Sequence, residues 1–349
     1  MTSRALIAAI TTLLLTGAAS GSDAPSLPVP HTIRVGGSDL NGLMPLWEAD
    51  FARSHPGIRF DNHMASGDAA IGALEAGAVD IVANGREPVL TEYLSFAEVF
   101  GHDGPFQVTV ATGSAEKLGR TWAQVIFVNR ANPIAHMTMA QLEGVFAGAR
   151  SGGYDGYRWT SAKALPAART IRSWGGLGLG GRWAARPIHT YGYAPTGMSN
   201  FFEAVVFHGG ASWAPGYRQY VEASAKQATD RAGTTDQMMD DLEHDPDGIA
   251  WAGLAHAKGH PGVKAIALGR DAAGPFIPCT RETVATRRYP LTRSIFLQLD
   301  RVPGRPLDPD IRAFLDYVLS EAGQAVVARQ DEYLALPPAF AKAQRDALD

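Results

Sequence analysis

Apolar and polar positions alternate in a regular way from residue 32 onward. Residues 32–37, Thr-Ile-Arg-Val-Gly-Gly, form a short segment that ends in two glycines, which predicts a strand leading into a Gly-rich turn. Between residues 43 and 54 the apolar positions recur at helical spacing, and Pro56-Gly57 follows, which predicts a helix that stops there. The same criteria predict strands over 58–63 and 79–82 and a helix over 69–76.

The alternation continues through the rest of the chain. Further strands are predicted over 125–128, 187–191, 249–251 and 294–299, and further helices over 139–146, 199–207, 234–242, 310–319 and 323–329. Residues 151–183 are rich in glycine and are predicted to be mostly loop. Strands that alternate with helices are typical of an α/β fold with a largely parallel sheet.

The first residues predict export. Arg4 precedes an apolar stretch over 5–15, and small residues follow over 17–21, which is typical of a cleaved secretory signal. A membrane anchor is the alternative, but a spanning helix needs roughly 20 apolar residues. Residues 1–24 are therefore predicted to be the signal peptide and the start of a Ser/Pro-rich linker.

The cysteine content bears on whether the exported chain would contain disulfides or carry a lipid anchor. Cys279 is the only cysteine, so no disulfide can form within the chain. It stands far from the signal, so no cysteine is available there for lipid attachment, and a soluble protein that is not a lipoprotein is expected. Cys279 itself is expected to be inert, because its sequence neighbours include no histidine or cationic cluster.

Charge and motifs exclude several classes of function. The formal net charge is −4 and no Lys/Arg cluster forms a basic stripe, which argues against a nucleic-acid partner. The chain has no Gly-x-Ser-x-Gly elbow and no Gly-Lys-Ser/Thr phosphate loop. No enzymatic activity is therefore predicted.

Two further patterns match known motifs by their letters alone. Gly176-x-Gly178-x-x-Gly181 has dinucleotide-fingerprint spacing, but no strong strand precedes it and Pro187 follows too soon for a long helix. His256-x-x-x-His260 has metal-ligand spacing, but Gly259 and Pro261 interrupt a helix there and no acidic partner is near. Neither a cofactor nor a metal is predicted.

Ten segments along the chain form a recognisable pattern, among them His55-Pro56-Gly57 and Tyr289-Pro290-Leu291-Thr292-Arg293. The full set is 37–39, 46–51, 55–57, 73–81, 132–134, 141–148, 174–183, 248–250, 289–293 and 319–324. In this order, the segments resemble those of the PstS-like phosphate-binding proteins, a group of type II periplasmic binding proteins. The resemblance covers nearly the whole chain after the signal.

The resemblance implies a two-lobed α/β protein in which each lobe has a mixed, mostly parallel sheet flanked by helices. Residues 30–120 with 286–349 would form lobe I, residues 121–285 would form lobe II, and the ligand cleft would lie between them. The implied function is that of a monomeric periplasmic receptor. It would capture a small, anionic ligand and deliver it to an inner-membrane ABC permease, without chemistry.

Candidate ligand contacts lie in four loops, three of which lead into helices whose free N–H groups attract anions. The residues are Ser38, Asp39, Ser66, Gly67, Asp68, Asn84, Arg86, Thr196, Gly197 and Ser199. Plain helix capping is the alternative role for each Ser, Thr, Asp or Asn.

The chain departs from the family at several of these positions. The family has hydroxyl residues where Asp68 and Ala69 stand, and a Ser-Gly-Thr triplet where Thr196-Gly197-Met198 stands. It has an arginine just upstream of that triplet, where this chain has residues 192–194, Gly-Tyr-Ala. Arg86 is then the one plausible cation in the loops, unless it forms a salt bridge instead. Phosphate remains one candidate ligand. The other is an organic solute stacked on Tyr193 or Trp251, bound by a sensor or scavenger.

Overall fold

The computed structural model describes residues 31–223 and 232–349, and the predicted signal peptide and linker lie outside this range. The strands are β1 (His31–Gly37), β2 (Ile58–His63), β3 (Ile81–Asn84), β4 (Phe106–Thr112), β5 (Gln124–Asn129), β6 (His136–Thr138), β7 (Gly153–Asp155), β8 (Arg158–Thr160), β9 (His189–Tyr193), β10 (Arg218–Tyr220), β11 (Gly248–Gly253), β12 (Val263–Ala265), β13 (Ala267–Gly269) and β14 (Ser294–Leu299).

Helices separate most of these strands. They are α1 (Met44–Phe51), α2 (Ala70–Glu75), α3 (Leu90–Phe100), α4 (Met139–Phe146), α5 (Gly197–Val206), α6 (Thr235–His244), α7 (Arg281–Ala285), α8 (Pro309–Val318), α9 (Glu321–Gln330) and α10 (Pro338–Asp346). Several begin at a threonine whose side chain accepts a backbone N–H, as Thr138 does from Gln141 at 3.1 Å.

Two five-stranded sheets form the centres of two lobes. The first has the order β2-β1-β3-β14-β4, and the second has the order β10-β9-β11-β5-β12. In the first sheet β1 pairs parallel with β2 and β3, while β14 runs antiparallel to both of its neighbours. In the second sheet β9 pairs parallel with β10 and β11, and β5 runs antiparallel. The predicted fold of mixed sheets flanked by helices is confirmed.

Each sheet has its own apolar core. The first core joins the early strands to the C-terminal helices, and Trp47 at its centre donates a hydrogen bond to the Gly323 carbonyl at 2.8 Å. The second core contains a stack of aromatic rings in which Phe202 lies 4.9 Å from Trp251. Within the described residues, no helix has both the length and the apolar character needed to cross a membrane.

The structure also corrects the sequence prediction locally. The segment 151–183 holds the β7–β8 hairpin and four short 3-10 helices, so it is more ordered than a loop. Helix α3 was not predicted, although Gly101 in the left-handed conformation (φ 74°) marks its end as a helix stop. Strand β4 and helix α10 were also missed.

Candidate ligand-binding cleft

A polar cavity of about 180 Å³ lies where loops of the two lobes meet. Eight of the ten candidate residues line it, namely Ser38, Asp39, Gly67, Asp68, Asn84, Arg86, Thr196 and Gly197. Five further residues complete the lining, and none was a sequence candidate: Gly85, Thr121, Met198, Glu222 and Arg293. The cavity therefore unites all four predicted loops.

The sheet topology explains how distant loops converge. Strands β1 and β3 are parallel neighbours, so the loops that follow Gly37 and Asn84 leave the same edge of the first sheet. Gly37 has φ 127°, and a Cβ there would lie 2.0 Å from the Ala83 carbonyl oxygen. Only glycine allows this close turn, which places Ser38 at the cavity. The N-terminus of α5, capped by Thr196, enters from the second lobe.

Asp39 is held in the cavity by neutral donors. The Thr121 hydroxyl donates to Asp39 Oδ1 at 2.8 Å, and the Ser38 hydroxyl donates to Oδ2 at 3.2 Å. The Tyr333 hydroxyl donates to the Asp39 backbone carbonyl at 2.7 Å. The carboxylate is thus oriented by hydroxyl groups and remains an acceptor at the ligand position.

Arg86 is committed to a partner of its own lobe. Its two terminal nitrogens donate to the two oxygens of Glu92, each at 2.7 Å. Burial disfavours the charged guanidinium, but the hydrogen bonds and charge of Glu92 outweigh this and raise the pKa of Arg86. Asp68 lies 3.5 Å away with its side chain 93% exposed. Arg86 therefore forms a salt bridge, as the alternative considered from the sequence proposed.

Arg293 is a second cation in the lining of the cavity, and it comes from outside the four loops, among which Arg86 was predicted to be the one plausible cation. Arg293 is only 2% exposed and precedes β14. It donates to the Gly85 carbonyl at 2.6 Å and to the Gly197 carbonyl at 3.4 Å, which belong to different lobes. Burial lowers its pKa, although arginine stays charged. Its Nε is buried and lacks a hydrogen-bond partner among the described residues.

The resemblance already contained Arg293, since it ends the Tyr289–Arg293 segment. Nothing local marks that residue as a cleft residue, because its carbonyl contacts are distant in the chain, 208 positions away at Gly85 and 96 positions away at Gly197. Glu222 was missed for the same reason. It accepts a hydrogen bond from the Trp122 indole at 2.9 Å, and burial raises its pKa.

Four residues considered from sequence lie away from the cavity lining. Ser199 is 1% exposed, and its hydroxyl donates to the Thr196 carbonyl and accepts the Thr196 N–H, so it caps α5. Ser66 is exposed and accepts the Ala69 N–H at 3.4 Å. Tyr193 and Trp251 pack edge to face in the second core with ring centroids 4.9 Å apart.

A larger interlobe cavity of about 330 Å³ has a different lining. Its lining is mainly apolar and comes largely from α3, the β7–β8 hairpin and α5, with Glu87 and Glu203 as half-buried acids. Burial raises the pKa of both carboxyls. It lacks the converging loops of the smaller cavity, which is therefore the candidate site.

Two α/β lobes with a polar cavity formed by loops from both define a two-lobed solute-binding protein. Over 309 residues the chain is 27% identical to the phosphate-binding protein PstS of Pseudomonas aeruginosa, which covers 88% of this chain and 84% of that protein. The predicted resemblance to the PstS-like binding proteins is thereby confirmed: the chain is their homologue, and the relative is a binding protein by name. No family model matches the chain.

Solved structures support the fold. An ABC-type phosphate transport receptor from Vibrio cholerae superposes with a TM-score of 0.51 at 17% identity, covering 87% of this chain and 100% of that one. PstS from Borrelia burgdorferi gives 0.51 at 13% identity, covering 88% and 99%. At these identities the likeness establishes the two-lobed architecture and nothing finer.

Proposed function

We propose that this chain is a periplasmic receptor that binds protonated phosphate in the cavity between its lobes and presents it to an ABC permease of the inner membrane. The observation that carries the proposal is that the buried Arg293 guanidinium and the carboxylates of Asp39 and Glu222 line the same small cavity. The homology to the phosphate-binding protein of Pseudomonas aeruginosa supports it.

The electrostatics favour a ligand that both donates and accepts hydrogen bonds. A carboxylate about 4 Å from a phosphate oxygen costs roughly 4 kcal/mol at an effective dielectric constant of about 20. Phosphate removes much of this cost, because it carries a proton near neutral pH and can donate it to Asp39 or Glu222. Sulfate carries no proton near neutral pH, so the carboxylates repel it in full. Arg293 supplies the attraction for the anionic oxygens.

The organic alternative loses the two aromatic contacts that were suggested for it. Tyr193 and Trp251 are 1% and 0% exposed and lie in the core of the second lobe. Among the described residues that line the cavity there is no aromatic side chain. A ligand that stacks on a ring is therefore not supported at this position, and a small hydrogen-bonding anion fits the lining better.

The proposal extends to organisation and localisation. We infer that residues 1–24 direct export, that residues 30–120 with 286–349 form lobe I, and that residues 121–285 form lobe II. The first sheet draws its strands from 31–112 and 294–299, and the second draws its strands from 124–265, which supports this division. The mature protein would act as a monomer in the periplasm, without a lipid anchor and without catalysis.

Calorimetric titration tests the ligand. The mature protein should bind phosphate at about pH 5 and about pH 8 and bind sulfate far more weakly, as the carboxylate penalty requires. Asp39→Asn should reduce the difference between the affinities for phosphate and sulfate, because the neutral amide no longer repels sulfate. Asp61→Asn, an exposed change on β2, is the matched control and should alter neither affinity. Failure of the wild type to bind phosphate at millimolar concentration would refute the proposal.

A further inference from the structure

A cluster in the second lobe, away from the ligand cavity, brings a histidine to two carboxylates. His260 stands just before β12, while Asp240 and Glu243 lie one turn apart on α6. His260 Nδ1 is 3.2 Å from Asp240 Oδ1 and 3.6 Å from Glu243 Oε2. One nitrogen and two oxygens are thus within 4.8 Å of one another.

The environment of His260 indicates, independently of the acidic cluster, a ligand-binding site. The residue is 9% exposed, and its Nδ1 is buried without a hydrogen-bond partner among the described residues. Both carboxylates are within ion-pair distance, yet neither is aligned to accept a hydrogen bond from this nitrogen. A buried ring nitrogen left in this way is costly unless another group satisfies it.

The separations fit a small metal ion. With bonds of about 2.0–2.2 Å to imidazole nitrogen and carboxylate oxygen, two ligands of a tetrahedral ion lie roughly 3.4 Å apart. The observed distances of 3.2 and 3.6 Å bracket this value. Imidazole combined with carboxylate suits Zn²⁺ better than the oxygen-seeking Mg²⁺ or Ca²⁺.

The surroundings orient the ligand atoms and leave an approach for the ion. Glu243 Oε1 accepts the Gly262 N–H, which leaves Oε2 for the cluster. A Cβ at Gly262 would lie 2.3 Å from Glu243 Cγ, so glycine permits this approach. The side chains of Asp240 and Glu243 are 36% and 23% exposed. Solvent can therefore reach the cluster and supply a fourth ligand.

We propose that Asp240, Glu243 and His260 bind one divalent transition-metal ion, Zn²⁺ by preference, which ties α6 to the turn before β12. The absence of an acidic partner predicted from the sequence around His256-x-x-x-His260 is thereby overturned. His256 does not take part. Its Nδ1 accepts the Gly253 N–H at 3.0 Å, and its ring packs on Trp122 at 5.2 Å.

The test is a Zn²⁺ titration of the mature protein after chelation, at about pH 7.5, where neutral imidazole binds metal. Calorimetry should show one site, and Co²⁺ should give d–d absorption at the same stoichiometry. His260→Ala should weaken binding at least about tenfold. Glu243→Gln, which keeps an acceptor for Gly262, should do the same and guards against a folding defect in the first variant.

Matched controls separate this site from surface binding. His31 pairs with Asp310 at 2.6 Å, in an exposed group that could also attract Zn²⁺, so His31→Ala should leave the tight site intact. His244→Ala removes an exposed histidine of α6 and should also have no effect. If His260→Ala binds Zn²⁺ as the wild type does, or if the wild type binds none at micromolar concentration, the proposal is wrong.

Discussion

Arg293 offers the sharpest test of the proposed phosphate site, through the substitution Arg293→Met. Methionine keeps an unbranched apolar stem beside Phe201, over which the guanidinium lies at 5.3 Å, and removes the charge. At about 4 Å and an effective dielectric constant of about 20, the lost attraction to one phosphate charge is roughly 4 kcal/mol. This corresponds to about a thousandfold increase in the phosphate Kd.

The same change has a structural cost that must be measured separately. The bond from Arg293 to the Gly85 carbonyl is lost, and charge-assisted hydrogen bonds contribute about 1.5–3 kcal/mol each. Urea denaturation should show a decrease of this size in the free energy of unfolding, while the protein stays folded. Calorimetry on the folded variant then reports the phosphate Kd.

Arg293→Lys is the control that retains charge. Lysine cannot bridge Gly85 and Gly197 with a planar fork, so its phosphate affinity should fall between those of the wild type and Arg293→Met. If Arg293→Met loses stability as expected but binds phosphate within about threefold of the wild type, far less than the charge term requires, then Arg293 only clamps the lobes together. The assignment of the anion site would then be refuted.

Three further outcomes follow from single residues. Burial raises the pKa of Cys279 to about 12, so at about pH 8 a thiol reagent should modify it only after unfolding, and rapid labelling of the native protein would contradict the burial. Burial lowers the pKa of His256 to about 4 from 6.5, so the unfolded chain binds more protons in that window and stability should fall by about 3 kcal/mol as the pH drops through it. Denaturant titrations of the wild type and His256→Gln would show a flatter profile for the variant, and parallel profiles would contradict the shift. Gly37→Ala should lower the free energy of unfolding by more than about 2 kcal/mol, because φ is 127° and a Cβ would lie 2.0 Å from the Ala83 carbonyl oxygen. Gly101→Ala, at φ 74° in open space, should lower it by only about 1 kcal/mol. Thermal unfolding measures both, and equal losses would show that the close approach at Gly37 is unimportant.

The sequence by itself determined the class of fold and many of the elements, although α3, β4 and α10 were missed. Helix α4 over 139–146 and strand β14 over 294–299 were predicted to the residue, because periodicity and capping act within a few positions of the chain. The four loops that line the cavity were also found from sequence, since parallel strands and helix entries place such loops at a common edge. The pairing of Arg86 with Glu92, six positions away, was within reach of the same local reasoning.

Only the tertiary structure decided which charges face the ligand. Arg293 reaches Gly85 across 208 positions and Glu222 meets Trp122 across 100, so no local pattern could pair them. The same holds for His260, whose acidic neighbours lie on another helix. Local spacing determines which face of a helix or strand a residue occupies. Which residues that face contacts depends on how distant segments pack together and on which groups are buried.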